Sequence, residues 1–320
     1  MAPSRWKRPG GLVRPVSRYC AIICATFGLA LAATTGFAQD LEPRAYSAAP
    51  VGTTFLVVGV GRSTGGVFTD PSVPFEDVEA TIGIGSVGAG RTFDLFSRTA
   101  LVVGAVPYGR GHASGRIEET TQEATRVGWA DARAKLSVNL VGGQALRARE
   151  FAKAPPRRTI VGVSLTVVAP TGQYHSNRLV NLGSNRWSYK PEAGISVAKG
   201  RWTFDGYGGA WLFGDNDEFF PGASLREQDP VFALQGHVSY TIRRGFWLAF
   251  DGTWYQGGTS SVDGVDKADL QKNSRVGVTG SYPLGARQSI KAAFSSGATT
   301  RVGGDFNTVS VAWQMVWVRP

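Results

Sequence analysis

Segments of about ten residues in which apolar and polar side chains alternate recur along most of this sequence. Residues 231–242 are the clearest case, because Phe232 and Leu234 share one face while Gln235 and His237 share the other. Alternation with a period of two is typical of a β-strand whose faces meet different surroundings. After residue 39 the sequence has no run of ~20 apolar residues, the length that a membrane helix requires. If this part of the chain crosses a membrane, it has to do so as a closed β-barrel.

The first 38 residues have a different character. They contain five basic residues (Arg5, Lys7, Arg8, Arg14 and Arg18), no acidic residue, and an apolar run over 21–33. This order predicts a signal peptide, with small residues at Gly36 and Ala38 where a signal peptidase reads the chain. We expect cleavage between Ala38 and Gln39, leaving residues 39–320 as the mature protein. A retained signal anchor is the alternative.

Removal of the signal peptide changes the global composition. Both cysteines, Cys20 and Cys24, leave with it, so the mature chain can form neither a disulfide nor a thiolate metal site. Of 34 basic residues 29 remain beside 24 acidic ones, which lowers the net charge from +10 to +5. Export and this smaller charge argue against a nucleic-acid partner. The 42 glycines and the many aromatic residues favour an all-β domain over helices.

The alternating segments and the turn residues between them predict twelve antiparallel strands, an even number as in bacterial outer-membrane barrels. The predicted strands are 53–62, 80–91, 98–109, 127–140, 159–169, 187–198, 202–213, 231–242, 246–256, 273–283, 288–297 and 307–318. Fourteen strands are the alternative. Long and short connections mostly alternate, so the long ones are expected outside the cell and the short ones, with both termini, in the periplasm. Residues 39–52 are then an N-terminal periplasmic segment.

Charge follows the same division of the connections. The six long ones, predicted at 63–79, 110–126, 170–186, 214–230, 257–272 and 298–306, hold 16 acidic and 9 basic residues. The other five, which are four short ones at 91–98, 199–201, 243–245 and 284–288 and a long exception at 141–158, hold 2 acidic and 12 basic residues. An acidic outer end repels anionic solutes that approach within a Debye length of ~8 Å.

Several stretches resemble a known outer-membrane family, the MetA-pathway of phenol degradation family, across nearly the whole mature chain. These stretches are Asp40-Leu41-Glu42-Pro43-Arg44-Ala45-Tyr46, Ala169-Pro170-Thr171-Gly172-Gln173-Tyr174, the run from Leu179 to Glu192, Arg226-Glu227-Gln228-Asp229-Pro230, Gln235-Gly236-His237 and Asn273-Ser274-Arg275. The resemblance implies an outer-membrane transporter for phenol or other aromatic compounds, but it carries over no binding residues. The end of the chain differs from usual barrels, since three residues follow Trp317 where a terminal aromatic would serve the barrel assembly machinery.

The polar face of the strands supplies the candidate substrate pathway. Its predicted lumen-facing members are Asp131, Arg133, Lys135, Lys190, Glu192, Asp205, Tyr207, Trp211, His237, Trp247, Asp251, Tyr255, Arg275 and Lys291. The charges nearly cancel, which fits either a network of paired charges that plugs the barrel or a polar track for a solute. Lys190 and Glu192 lie two residues apart on one wall, and we expect their partners across the lumen, with Arg275 and Asp251 as candidates.

Aromatic residues fall into two groups. Tyr207, Trp211, Trp247 and Tyr255 are on the polar face, where they either stack a planar solute or simply fill the interior. Those expected on the apolar face suit the girdles at the two membrane interfaces. They are Trp187, Tyr189, Trp202, Phe246, Trp254, Trp313 and Trp317.

The sequence gives little support for a catalytic site or a metal site. A lipid hydrolase in this membrane would need a histidine beside a serine on the lipid side, whereas His237 faces the lumen and suits a hydrogen bond there. The segment 215–218 offers oxygen ligands at calcium-like spacing but lacks the glycine and distal glutamate of an EF-hand, so a solvated loop is the simpler interpretation. We predict no enzyme activity, no metal and no cofactor.

Three function classes follow from these observations. The first is a passive outer-membrane channel for a small aromatic or hydrophobic compound, whose partners are outer-membrane lipid, the solute and the assembly machinery. The second is a structural or adhesive barrel with a closed lumen, and the third is a barrel enzyme. The sequence does not give the oligomeric state.

Overall fold

The computed structural model describes residues 41–68, 76–117, 120–220 and 223–318. The predicted signal peptide, its cleavage site at Ala38 and Gln39, and Asp40 lie outside the described residues. The mature N-terminus therefore stays a prediction. Within the described part there is no helix long and apolar enough to cross a bilayer.

Most of the chain forms one antiparallel sheet. Its strands are β1 (Thr53–Phe68), β2 (Glu76–Leu95), β3 (Arg98–Ile117), β4 (Thr120–Trp129), β5 (Arg133–Val141), β6 (Thr159–Val168), β7 (Ser188–Lys199), β8 (Trp202–Phe213), β11 (Val231–Arg243), β12 (Phe246–Gly257), β15 (Gln271–Pro283), β16 (Gln288–Thr299) and β17 (Gly303–Val318). A second sheet of four short strands comprises β9 (Asn216–Phe219), β10 (Ser224–Gln228), β13 (Ser260–Val262) and β14 (Val265–Asp266). One short helix, α1 (Ala148–Lys153), lies between β5 and β6.

The large sheet closes on itself. β1 pairs with β17 along its whole length, from Thr53 opposite Val318 to Phe68 opposite Gly303, and every other strand of the large sheet except β4 pairs with neighbours on both sides. β4 and β5 both pair with β3 and act as one strand interrupted at 130–132. The barrel therefore has the twelve strands that the alternation predicts, not fourteen. Closure satisfies the backbone hydrogen-bonding groups that an open edge would expose to lipid.

Several strands extend further than the sequence pattern indicates. The predicted long connection at 110–126 is largely the hairpin of β3 and β4, so that prediction was wrong. Connections 214–230 and 257–272 are not plain loops either, because they carry the small sheet, with β10 paired to β9 and β13. Strands that leave the bilayer no longer need an apolar face, and their alternation consequently fades.

The outer surface of the barrel carries an apolar belt. Leu234, Phe250 and Val278 are more than half exposed on successive strands, whereas Thr253 and Thr279 on the opposite face are buried. The face assignment from alternation is therefore correct for the second half of the chain. Trp187 and Tyr189 stack near the end with the long connections, and Trp202 contacts Tyr240 near the end with the short turns. These pairs lie where the two interfacial girdles are expected.

A charge placed in this belt should cost stability. Val278→Arg puts a guanidinium on the lipid side of β15 near the middle of the strand, where Val278 is 52% exposed, and we expect the free energy of unfolding to fall by ~2–4 kcal/mol. Denaturant titration of the barrel folded in lipid vesicles measures this change.

The matched control is Ser196→Arg, at a lumen-facing position of β7 directly opposite Asp205, whose carboxylate can pair with the new guanidinium. It should cost much less than Val278→Arg, and equal costs would mean that the faces are assigned wrongly. Thr279, which alternation alone suggests as a control, is unsuitable because its hydroxyl donates to Asp251 at 2.6 Å.

Candidate functional site: the barrel lumen

The structure places the predicted pathway residues inside the barrel. Asp131, Lys190, Glu192, Asp205, Tyr207, Trp211, His237, Trp247, Asp251, Tyr255, Arg275 and Lys291 are buried, and Arg133 and Lys135 are half-buried on the same face. Strand periodicity thus suffices to find the lumenal wall. Whether these residues form a substrate pathway stays a prediction.

Residues 41–52, here called the lumenal segment, also lie inside the barrel. The expectation of a periplasmic segment outside the barrel needs correction for these residues, because Tyr46 is 1% exposed and contacts the walls formed by β6, β7 and β8. The segment returns to the short-turn end, where Val51 N donates to Leu146 O at 2.9 Å, and continues into β1. Alternation cannot reveal this arrangement, since the segment is not a strand. The hint in the sequence is that residues 40–46 are one of the stretches that resemble the family named in the sequence analysis.

Two acids and two lysines connect the lumenal segment to the wall. Lys135 Nζ lies 2.7 Å from Glu42 Oε2 and 3.8 Å from Glu192 Oε1, while Lys190 Nζ lies 2.6 Å from Glu192 Oε2. Lys190 and Glu192 therefore pair directly, and the expected partnership with Arg275 and Asp251 was wrong. A strand twisted within a small barrel brings i and i+2 side chains of one face together, and Glu42 supplies the second carboxylate.

Arg44 holds the same segment to the next strands of the wall, β8, β11 and β12. Its Nε donates to Ser239 Oγ at 2.9 Å, its Nη2 donates to Thr241 Oγ1 at 2.8 Å, and its guanidinium lies over the Trp247 ring, 4.8 Å from the centroid. Its backbone N donates to Asp205 Oδ2 at 3.3 Å. The segment is thus attached to β8, β11 and β12 as well as to β5 and β7.

Tyr46 fits a hollow made by two glycines that face each other on β6 and β7. A Cβ on Gly162 would lie 2.3 Å from Tyr46 Cδ1, and one on Gly194 would lie 2.5 Å from Tyr46 Cε2. The Tyr46 hydroxyl lies 3.0 Å from Ser164 Oγ and donates to Glu192 Oε1 at 3.3 Å. The strand glycines are therefore needed here for the close approach of the lumenal segment.

A second polar group lies on β11, β12 and β15. His237 Nδ1 is 2.7 Å from Asp251 Oδ1, and Asp251 Oδ2 accepts from Thr279 Oγ1 at 2.6 Å. His237 Nε2 has no hydrogen-bond partner among the described residues, and the ring packs 5.2 Å from that of Tyr207. As expected from its face, His237 makes a lumenal hydrogen bond. A hydrolytic triad has its nucleophile bonded to the second histidine nitrogen, and the described residues place no hydroxyl or thiol at Nε2 of His237.

Two further cations lie on the wall formed by β15 and β16. Arg275 Nη2 donates to Phe306 O at 2.7 Å and to Ser295 Oγ at 3.1 Å, so it ties β15 to its neighbour β16 and to β17 beyond it. Lys291 Nζ lies 5.6 Å from the centroid of the Trp247 ring. Both cations thus contact the wall.

Asp131 organises the long connection 169–187. It accepts from Gly172 N at 2.9 Å, from Ser184 N at 2.8 Å and from Ser184 Oγ at 2.6 Å. Within this connection the Arg186 guanidinium packs over Phe213 at 4.5 Å and donates to Gln228. Burial and the nearby Arg226 lower the pKa of Arg186 to about 10. Asp131 is therefore a support for the outer mouth.

The segment 215–218 is also structural. Asn216 is buried, with its Oδ1 accepting from Asn185 Nδ2 at 2.9 Å and its Nδ2 donating to the Tyr174 hydroxyl at 2.9 Å. Among the described residues no group of three or more His, Cys, Asp or Glu side chains is placed to hold a metal ion. The oxygen atoms of this segment serve to join β9 to the connection before β7.

Toward the outer end the lumenal face becomes apolar. Val168, Trp211, Val231, Ala233 and Tyr255 pack together there, and this group is called the lumenal apolar patch. Each of its members is at most 2% exposed. Lumenal faces of barrels are usually polar. Contact with water in the lumen therefore does not explain an apolar patch inside this barrel.

The lumen thus combines a polar level, crossed by the lumenal segment, with an apolar level nearer the outer loops. The model of the family described as "Putative MetA-pathway of phenol degradation" matches residues 61–313. The chain belongs to this family. The match spans strands β1 to β17, so family membership concerns the barrel as a whole.

Solved structures of other proteins have the same architecture as this family member. An outer membrane channel from Pseudomonas putida F1 superposes with a TM-score of 0.73 at 22% identity, covering 87% of this chain and 100% of that one. The beta domain of a Bordetella autotransporter, BrkA, gives a TM-score of 0.50 at 9% identity and covers 83% and 100%. No curated protein matches by sequence. The closed barrel and the apolar belt on its outer surface together place this family member in the outer membrane.

Reversal of one lumenal charge should loosen the lumenal segment. Lys190→Glu would leave Lys135 facing three carboxylates, including Glu42 of the segment. We expect a higher single-channel conductance and a stronger preference for cations in planar bilayers, with a folded barrel by heat-modifiability gel. Lys190→Arg keeps the charge and should resemble the wild type. A well-folded Lys190→Glu barrel with unchanged conductance and ion preference would remove this residue from any pathway.

The glycine hollow gives an independent prediction. Gly194→Ala places a methyl group against Tyr46 and Tyr207, with Cβ distances of 2.5 and 2.4 Å, and overpacking of this kind costs ~1–3 kcal/mol. Gly236→Ala on β11 is the control, because its Cβ meets nothing within 4 Å. Denaturant unfolding should separate the two variants, and a neutral Gly194→Ala would show that Tyr46 does not occupy the hollow.

Proposed function

We propose that this protein allows passive uptake of a small aromatic or hydrophobic compound across the outer membrane. The observation that supports this most directly is the lumenal apolar patch, because apolar side chains on the inner face of a barrel offer contacts that a water-soluble ion does not use. Trp211 and Tyr255 within the patch are at most 2% exposed, so a planar solute packs on their aromatic rings only when the patch opens. The description of the family agrees with such a solute.

The lumenal charges contribute to the same function in a different way. Their sum is close to zero, and Glu42, Lys135, Lys190 and Glu192 satisfy one another locally. Such a lumen provides no electrostatic drive for ions of either sign. Selection for an uncharged solute is consistent with this balance. The proposal assigns no catalytic step to His237 or to any other residue.

A structural barrel with a closed lumen is the second candidate. The lumenal segment favours it, since the segment lies inside the barrel and contacts a run of neighbouring strands from β5 to β12 through Glu42, Tyr46 and Arg44. The two candidates differ in one measurable respect, because only a transporter changes the rate at which a solute enters the cell.

The test is the initial rate of uptake of labelled toluene by cells with and without the protein. We expect faster uptake with the wild type and an approximately fivefold loss of this gain in Trp211→Glu, because a carboxylate in the apolar patch is costly for an apolar solute to pass. Ser281→Glu introduces the same charge on the lumenal face outside the patch, directly opposite Lys291, and should transport normally. Equal uptake with and without the protein would support the closed barrel instead.

A further inference from the structure

A cavity of about 480 Å³ lies at the short-turn end of the barrel, between the lumenal segment and the connection that carries α1. Arg44 lines it from the lumenal segment, Phe151 and Arg158 from the connection, and Ile160 and Thr203 from the wall. Sites for small organic molecules typically enclose ~300–1,000 Å³. The cavity is therefore large enough for one such molecule and is separate from the lumenal apolar patch.

The charge of the cavity wall has one sign. Four arginines line it, namely Arg44, Arg157, Arg158 and Arg244, and the residues that line it include no aspartate or glutamate. Arg44 donates to hydroxyl oxygens, and Arg157 Nη1 donates to the carbonyl oxygen of Gly142 at 2.8 Å. These bonds orient the guanidinium groups of Arg44 and Arg157. Asp205, which accepts from the Arg44 backbone N, lies close to Arg44 but does not line the cavity. A guanidinium is the side chain that best matches a carboxylate.

The rest of the wall is apolar. Phe151, Pro155, Pro156 and Ile160 form a surface beside the arginines. An inorganic anion would use the arginines alone, whereas a molecule with both a carboxylate and an apolar body would use the whole wall. We propose that this cavity binds a small organic carboxylate, with the acid group on the arginines and an aromatic or aliphatic body against Phe151 and the prolines.

Charged residues around the cavity strengthen its attraction for a carboxylate. The five connections at this end of the barrel carry 12 basic and 2 acidic residues, so the potential around the cavity is positive. A potential of one sign raises the local concentration of opposite charges at a site. The uneven distribution of charge, which the barrel fold does not require, thus acquires a role at this end of the molecule.

The cavity also shares a residue with the lumenal segment, since Arg44 fixes that segment to β11. A carboxylate on the remaining donors of Arg44 binds only when the segment is in place. By linkage, the ligand stabilises the lumenal segment inside the barrel. Binding at this cavity does not depend on transport, so it can be measured even if the proposed uptake function is wrong.

The experiment is equilibrium dialysis of labelled benzoate against the folded protein in detergent. We expect saturable binding at one site, with about tenfold weaker affinity in Arg158→Gln, because a hydrogen bond to a charged group is lost. Phe151→Ala should weaken binding too, by loss of the apolar contact. Arg158 and the Phe151 side chain are at the surface or half-buried, and a heat-modifiability gel verifies that each variant is folded.

Arg287→Gln is the matched control, since Arg287 is an exposed arginine at the same end that does not line the cavity. Its affinity for benzoate should equal that of the wild type. The proposal is overturned if benzoate does not bind saturably, if Arg287→Gln weakens binding as much as Arg158→Gln, or if uncharged benzyl alcohol binds as tightly. Displacement of benzoate by an equal concentration of inorganic phosphate would also overturn it, and would indicate a site for phosphate groups instead.

Discussion

Backbone hydrogen bonding within the bilayer is the constraint on which the rest of this structure depends. Lipid offers no partner to an unpaired N–H or C=O group, so the sheet has to close, and the pairing of β1 with β17 achieves this. Once the ring is closed, each strand has one face toward lipid and one toward the lumen. The apolar belt, the girdles and the collection of polar side chains inside all follow from that division.

A closed ring of twelve strands leaves an interior that has to be filled or kept wet, and this protein fills part of it with its own chain. Tyr46 enters the space that Gly162 and Gly194 leave open, and Glu42 neutralises Lys135 on the wall. Buried ion pairs add little net stability but are costly to break on one side only. The lumenal segment is thus held by contacts that a single charge reversal can disturb.

The two ends of the barrel differ in chemistry. The outer end has the lumenal apolar patch beneath acidic connections, while the short-turn end has a cavity lined by arginines. A neutral apolar compound fits the first environment and an organic carboxylate fits the second. Since the lumenal segment lies between them, its position couples what happens at either end through Arg44 and Tyr46.

Sequence periodicity by itself determined the class of fold, the number of strands and the face on which residues such as His237 and Leu248 lie, because a strand inside a bilayer obeys a strict alternation. It could not determine contacts between distant parts of the chain. The direct pairing of Lys190 with Glu192, and the place of residues 41–52 inside the barrel, depend on barrel curvature and on the packing of a segment without any periodicity. Only the tertiary structure decided these features, since strand curvature sets the distance between Lys190 and Glu192, and the lumenal segment meets wall residues that are far from it in the sequence.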